Sequence, residues 1–226
     1  GTTQRAWERD ESVDVLVETM TASNPNHICL VGPPGCGKTA IIEEAVRRAY
    51  ELQTAYQRRQ DVWRTSGDQM VAGMRLVGQW QNRAANVCEE LGERNDVLVI
   101  DDILGFVDAG PRKAQSNLAR FFEPEMARRS FAVVAEATER TIDTARTSAP
   151  GFVEAFRRIH VPPTDRSRTF RVANAYVREI EGDEAIEFTP EAVEAAVAWS
   201  DRYFARQAFP GKAVRLLQNC LREAER

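Results

Sequence analysis

A chain of 226 residues that is 43% hydrophobic can bury one sizeable α/β core and a small appended unit. Its formal net charge of -4, from 30 Lys and Arg against 34 Asp and Glu, gives no overall basic field, so a nucleic-acid partner is not expected. No apolar run approaches a membrane span and no signal peptide precedes the folded part, which excludes a membrane partner and predicts a cytoplasmic protein.

In chain order, Ala6 and Trp7 come first; they either cover the ring of a bound base or pack on the helix that follows. Val13, Leu16, Val17 and Met20 recur at one-face spacing and predict a helix over residues 10–20. The polar run Ser23-Asn24-Pro25-Asn26 ends it, and His27-Ile28-Cys29-Leu30-Val31 is an apolar run of strand length. Directly after it stands Gly32-Pro33-Pro34-Gly35-Cys36-Gly37-Lys38-Thr39-Ala40, which fits the pattern GxxxxGK followed by Ser or Thr. The glycines permit a backbone that turns successive N–H groups inward as an anion nest, Lys38 places a charge on β- and γ-phosphates, and Thr39 places a hydroxyl on Mg²⁺. Ile41, Ile42, Ala45, Val46 and Ala49 continue at helical spacing, so the loop opens a helix whose N-terminus points at phosphate. The implied ligands are the phosphates of a nucleotide and Mg²⁺; the loop alone does not say which nucleotide.

Residues 61–66 read as a second strand. In residues 70–78 two glycines bracket a short apolar and cationic segment, and Gly73 to Gly78 reads as a loop, with a buried turn as the alternative. A helix is expected over 79–91 and a loop over 92–95. Val97-Leu98-Val99-Ile100 has the aliphatic continuity of a strand buried on both faces of a parallel sheet, and it ends at Asp101-Asp102. A carboxylate at that tip is where a Mg²⁺ shell needs one, which assigns Asp101 to the metal and Asp102 to the attacking water. Residues 131–135 form the next strand, and Thr138 just beyond either contacts the water or γ-phosphate or merely ends the strand. Residues 158–161 make a short last strand stopped by Pro162-Pro163. From there the pattern is helical only: one helix carrying Val172, Tyr176, Val177 and Ile180, one capped by Thr189-Pro190 and running through Ala198, and one opened by Gly211-Lys212-Ala213. Cys29, Cys36, Cys88 and Cys220 show no metal-ligand spacing and read as reduced thiols, three of them structural. Cys36, at a helix N-terminus, is either a redox switch through a lowered pKa or a small residue filling the loop. The chain begins abruptly at Gly1 and stops inside a charged helix at Arg226, as an excised module would.

Phosphate loop, Asp-tipped strand, Thr-tipped strand and helical lid, in that order, resemble an AAA+ ATPase, and more finely the first nucleotide-binding module of the Clp unfoldases and disaggregases. Leu30 through Ile41 is similar to that family's "LVGxPGxGKTAI". Val71-Ala72-Gly73 with Gly78-Gln79-Trp80 and Arg83 resembles "LVAGxxxxGEFExR", and Asp101 through Gly110 follows the spacing of "DELHTLVGAG". Arg202-Tyr203 with Phe209-Pro210-Gly211-Lys212-Ala213 resembles "RYIxxRxLPDKA". The resemblance implies a three-layer α/β/α P-loop fold with a parallel sheet over 1–163 and a helical lid over 164–226. It implies an ATP-binding subunit, a hexameric ring in the full-length protein, that pulls a protein substrate through a central pore. It also implies that Lys212 approaches the nucleotide and that the loop carrying Arg75 and Leu76 grips substrate. Three positions depart from the family: Leu76 stands where it has a gripping Tyr, Asp102 where it has a catalytic Glu, and Glu154 and Ala155 where paired arginines reach the neighbour's γ-phosphate. Arg157 and Arg158 are the candidates to replace those arginines. The departures keep two other readings in view: an ATP-binding assembly or switch module with weak hydrolysis, and, from Asp101-Asp102 alone, a DNA-associated loader.

Overall fold

A computed structural model describes residues 5–55, 60–73, 79–109, 117–181 and 187–224. The first elements are α1 (Asp10–Thr21), β1 (His27–Val31), α2 (Lys38–Ala55), β2 (Val62–Thr65), α3 (Gly67–Val71) and α4 (Gln79–Arg94). Next come β3 (Val97–Ile100), α5 (Ile103–Asp108), α6 (Leu118–Ala127), β4 (Ala132–Ala137), α7 (Glu139–Ser148), α8 (Pro150–Glu154) and β5 (Phe156–His160). Three helices end the chain: α9 (Arg166–Glu181), α10 (Pro190–Tyr203) and α11 (Gly211–Ala224). The chain divides into two compact units, one of residues 11–31 and 45–160, the other of residues 1–10, 32–44 and 161–226.

The first unit holds a parallel sheet in the order β2-β3-β4-β1-β5. β1 and β3 are buried along their whole length, which is why their residues form unbroken aliphatic runs. All five strands end at the same edge, so Val31, Asp101 and Thr138, each at or just past a strand end, belong to the side where parallel α/β sheets bind ligands. The core under the sheet is aromatic: Phe106 stacks on Phe152 at 5.7 Å and meets Phe122 edge-on at 5.2 Å, and Phe152 meets Phe156 edge-on at 5.2 Å. This is the expected α/β P-loop architecture, and a C-terminal helical region follows it.

In the second unit, Ala173, Val177, Val193, Ala196, Val197, Phe209, Ala213 and Leu217 bring α9, α10 and α11 onto one small core. Thr189 caps α10 by accepting the Ala192 N–H at 3.2 Å, with Pro190 in the first turn where its missing N–H costs nothing.

Several expected boundaries move. α4 continues through Gly92 to Arg94, so residues 92–94 are helix; a Cβ on Gly92 would lie 3.0 Å from Ser130 Oγ, and this close approach explains a glycine inside the helix. Asn95, at φ 54, takes the left-handed conformation that ends it. Met70 and Val71 end α3, a short helix whose capping box is built from Ser66 and Gln69. β4 starts at Ala132 and extends to Ala137, and α10 extends past Ala198 to Tyr203. β5 starts two residues early, at Phe156, because its backbone pairs from His27↔Phe156 onward although two successive arginines made that stretch look like loop. Cys220 is exposed, so it is not a structural core thiol. Residues 74–78, including Arg75 and Leu76, lie outside the described residues.

Candidate functional site

The loop after β1 is a tight backbone structure with one long cation folded into it. Gly35 and Gly37 adopt φ of 88 and 104, the left-handed region in which a side chain is strained. At Gly32 the demand is space, since a Cβ would lie 2.3 Å from the Val161 carbonyl oxygen and 2.8 Å from Cys36 Sγ. The Cys36 N–H donates to Pro33 O at 3.2 Å, and the Ile41 N–H donates to Gly37 O at 3.0 Å, so the helical ladder begins immediately after the loop. Lys38 is only 8% exposed, and its Nζ donates to Gly32 O at 2.8 Å and Pro33 O at 3.2 Å. A buried ammonium satisfied by carbonyls of its own loop, among glycines that hold the backbone open, fits a polyphosphate. Pro34, Thr39 and Ala40 complete the loop and the first turn of α2.

The same loop is tied to residues far along the chain. The Ala208 N–H donates to Pro34 O at 3.3 Å and the Gly211 N–H to Gly35 O at 2.9 Å. A Cβ on Gly211 would lie 2.7 Å from Gly35 O, so this crossing requires glycine. Arg9 Nη2 donates to Cys36 O at 3.0 Å and Pro162 O at 2.6 Å. Arg215 reaches the loop as well: its Nη2 lies 3.6 Å from where a Gly35 Cβ would stand. Sequence reading gave neither Arg9 nor Arg215 a role at the loop; the signal for Arg215 was its place one turn beyond Lys212 on α11. Cys36 is fully buried, and burial pushes its thiol up in spite of Lys38 and Arg9 nearby. That removes the premise of a redox switch, a lowered pKa, and leaves Cys36 as a small loop-filling residue.

Trp7 packs edge-to-face on Tyr176 of α9 at 6.2 Å, and Ala6 beside it is buried. Glu8 receives both Arg171 and Arg168, at 2.8 Å and 3.4 Å, and the Arg171 guanidinium holds its carboxyl below the usual range. Lys212 is buried; its Nζ lies 3.0 Å from Asp201 Oδ1 and 4.1 Å from the Phe209 ring centroid, so its charge is already paired within the helical unit.

At the sheet edge the Asp101 N–H donates to Thr65 O at 3.1 Å, which fixes the backbone just past β3. The Asp101 carboxylate accepts from Arg64 Nε, and Arg64 Nη2 lies 3.8 Å from Glu136 Oε1 on β4. Asp102 is the N-cap of α5: its two carboxylate oxygens accept the Leu104 N–H at 3.3 Å and the Gly105 N–H at 2.9 Å. Thr138 caps α7, accepting the Thr141 N–H at 3.1 Å, one residue past Ala137, which pairs with Val31. Arg157 and Arg158 are exposed on the edge strand β5, opposite Ile28 and Cys29. Being consecutive in a strand they face opposite sides of the sheet, and they lie in mid-strand, away from its tip. Among the described residues no three His, Cys, Asp or Glu side chains gather as a metal cage. Mg²⁺ needs no such cage, since it keeps several waters and binds through one or two protein oxygens plus phosphate.

A family model described as "ATPase family associated with various cellular activities (AAA)" matches residues 28–159, and one described as "AAA lid domain" matches residues 165–224. The chain belongs to the AAA ATPase family. Among curated relatives it is similar to the chaperone protein ClpB of Aquifex aeolicus, 25% identical over 208 residues that are 91% of this chain and 21% of ClpB. It is also similar to the ATP-binding subunit ClpE of the Bacillus subtilis ATP-dependent Clp protease, 26% identical over 92% of this chain and 30% of ClpE. The fold is that of S. cerevisiae Hsp104 in an extended complex with casein, at a TM-score of 0.78 and 21% identity over 95% of this chain and 37% of Hsp104. The chain thus spans less than a third of the length of these two curated relatives.

Proposed function

We propose that this chain is the ATP-binding module of a Clp-like ring ATPase, coupling Mg²⁺-dependent ATP hydrolysis to remodelling or translocation of protein substrates. The observation that carries the reading is the loop after β1, with Lys38 buried on its carbonyls and glycines at φ of 88 and 104. In this reading Gly32, Pro33, Pro34, Gly35, Cys36, Gly37, Lys38, Thr39 and Ala40 cradle the phosphates, and Lys38 exchanges its carbonyl partners for phosphate oxygens. Thr39 and Asp101 hold Mg²⁺, Asp102 orients the attacking water, and Thr138 hydrogen-bonds the water or γ-phosphate. Ala6, Trp7 and Lys212 border the nucleotide. ATP with Mg²⁺ supplies an activated phosphoryl group whose charge is partly neutralised. Arg157 and Arg158 act on a neighbouring subunit's site, and Arg75 and Leu76 contact the threaded chain. The large domain is 1–163 and the lid 164–226, a division supported by family matches over 28–159 and 165–224. A hexamer in the cytoplasm is the expected setting of the full-length protein; among the described residues no helix is long and apolar enough to cross a membrane.

One observation favours the second reading, a switch module with little turnover: both Asp102 oxygens serve a helix cap, which explains an Asp there and leaves fewer lone pairs for water. Steady-state ATP turnover with Mg²⁺, using Lys38→Ala as the blank, separates the two. Turnover that falls about 100-fold or more in the variant supports the ATPase. Nucleotide binding without turnover above the blank supports the switch.

A further inference from the structure

Arg64 is the third residue of β2, an edge strand, and its guanidinium crosses the tips of two neighbouring strands. Its Nε donates to the Asp101 carboxylate just past β3, and its Nη2 lies 3.8 Å from Glu136 Oε1 on β4. The frame under this bridge is rigid, because Thr65 pairs with Ile100, the Asp101 N–H is bonded to Thr65 O, and Glu136 pairs with Leu30 two residues before the phosphate loop. Glu136 is 11% exposed at its side chain, so one of the two carboxylates has little water to screen it. An Arg fork is the side chain that can serve two carboxylates held at fixed positions.

Exposed ion pairs contribute little to stability, and Arg64 and Asp101 are 43% and 42% exposed, so stability does not account for this bridge. Its consequence is electrostatic and falls on the carboxylate assigned to the metal. We propose that Arg64 is a resident counter-cation of Asp101: it positions the carboxylate and raises the Mg²⁺ concentration that this module needs to bind nucleotide as the metal complex. The inference rests on the reading of Asp101 as a Mg²⁺ residue. A divalent ion entering that shell meets a carboxylate oxygen already taken and a positive charge alongside, both of which oppose it.

The test is a Mg²⁺ titration of the chain with an ATP analogue bearing a ribose fluorophore, read as the midpoint of the fluorescence change. Arg64→Gln is expected to lower the midpoint roughly threefold to tenfold. Arg64→Lys, which keeps the charge and loses the fork, is expected to fall between Arg64→Gln and the native chain. An unchanged or raised midpoint in Arg64→Gln, with an unchanged thermal unfolding midpoint, overturns the proposal. Asp101→Asn in the native background tells the two readings apart. If it raises the midpoint while Arg64→Gln has no effect, only the role of Arg64 fails. If Asp101→Asn leaves the midpoint where it was, the metal reading fails and the role of Arg64 fails with it.

Discussion

His27 begins the strand that leads into the phosphate loop, and both of its ring nitrogens are spoken for. Nε2 donates to Met126 O at 2.9 Å, and Nδ1 accepts the Val133 N–H at 3.1 Å, an arrangement only the neutral ring can make. Burial holds its pKa below the ordinary 6.5, partly offset by the Met126 carbonyl. Below that value the unfolded chain takes up a proton that the folded chain resists, so stability contributed by His27 is complete above about pH 6.5 and is lost as pH falls. Glu8, held low by Arg171, adds a separate loss only below its ordinary 4.5. The urea midpoint is therefore expected to drop between pH 7.5 and pH 5.5, and His27→Gln to flatten that slope. An equal slope in the variant would place the titration elsewhere. Asp102 and Thr138 show a related economy at this scale, since each is a helix cap at a strand tip and a candidate contact for the reacting groups.

Among elements, the crossing between the phosphate loop and the start of α11 is a tight one. The Gly211 N–H binds Gly35 O at 2.9 Å, and a Cβ on Gly211 would meet Gly35 Cα at 2.8 Å. Gly211→Ala is expected to destabilise by about 1–3 kcal/mol in urea unfolding and to weaken binding of the fluorescent ATP analogue, because backbone atoms must move apart. Gly37→Ala is the comparison: a Cβ there meets nothing within 4 Å, so only its φ of 104 opposes the change. A Gly211→Ala chain as stable as the native one would mean that the crossing yields freely. β1, the loop and β3 were legible in the sequence because their signals are local: an aliphatic run, then glycines or carboxylates. β5 was misplaced at its start because an exposed edge strand can carry Arg157 and Arg158 and still pair in full with β1. The contacts of Arg64, Arg9 and Arg215 were not legible because their partners are set by sheet register and chain crossing, which leave no pattern among neighbouring residues.

At the scale of the whole molecule, the family is established by matches over most of the chain, which spans 21% of the length of the Aquifex aeolicus ClpB it resembles. The phosphate loop and its buried lysine are complete within the described residues. What the chain lacks is the pair of arginines before Phe156, where Glu154 and Ala155 stand; Arg157 and Arg158 sit instead in the middle of an edge strand. An arginine supplied from a neighbouring subunit is worth roughly 10³ to 10⁵ in rate in related phosphoryl transfer, so assembly and turnover are linked if this is a ring ATPase. The direct measurement is ATP turnover per chain with Mg²⁺ over a wide range of protein concentration, each point corrected by Lys38→Ala. A specific activity that climbs steeply with concentration is the predicted result, and a substantial turnover that stays constant per chain down to the lowest concentration would contradict a site completed by its neighbour.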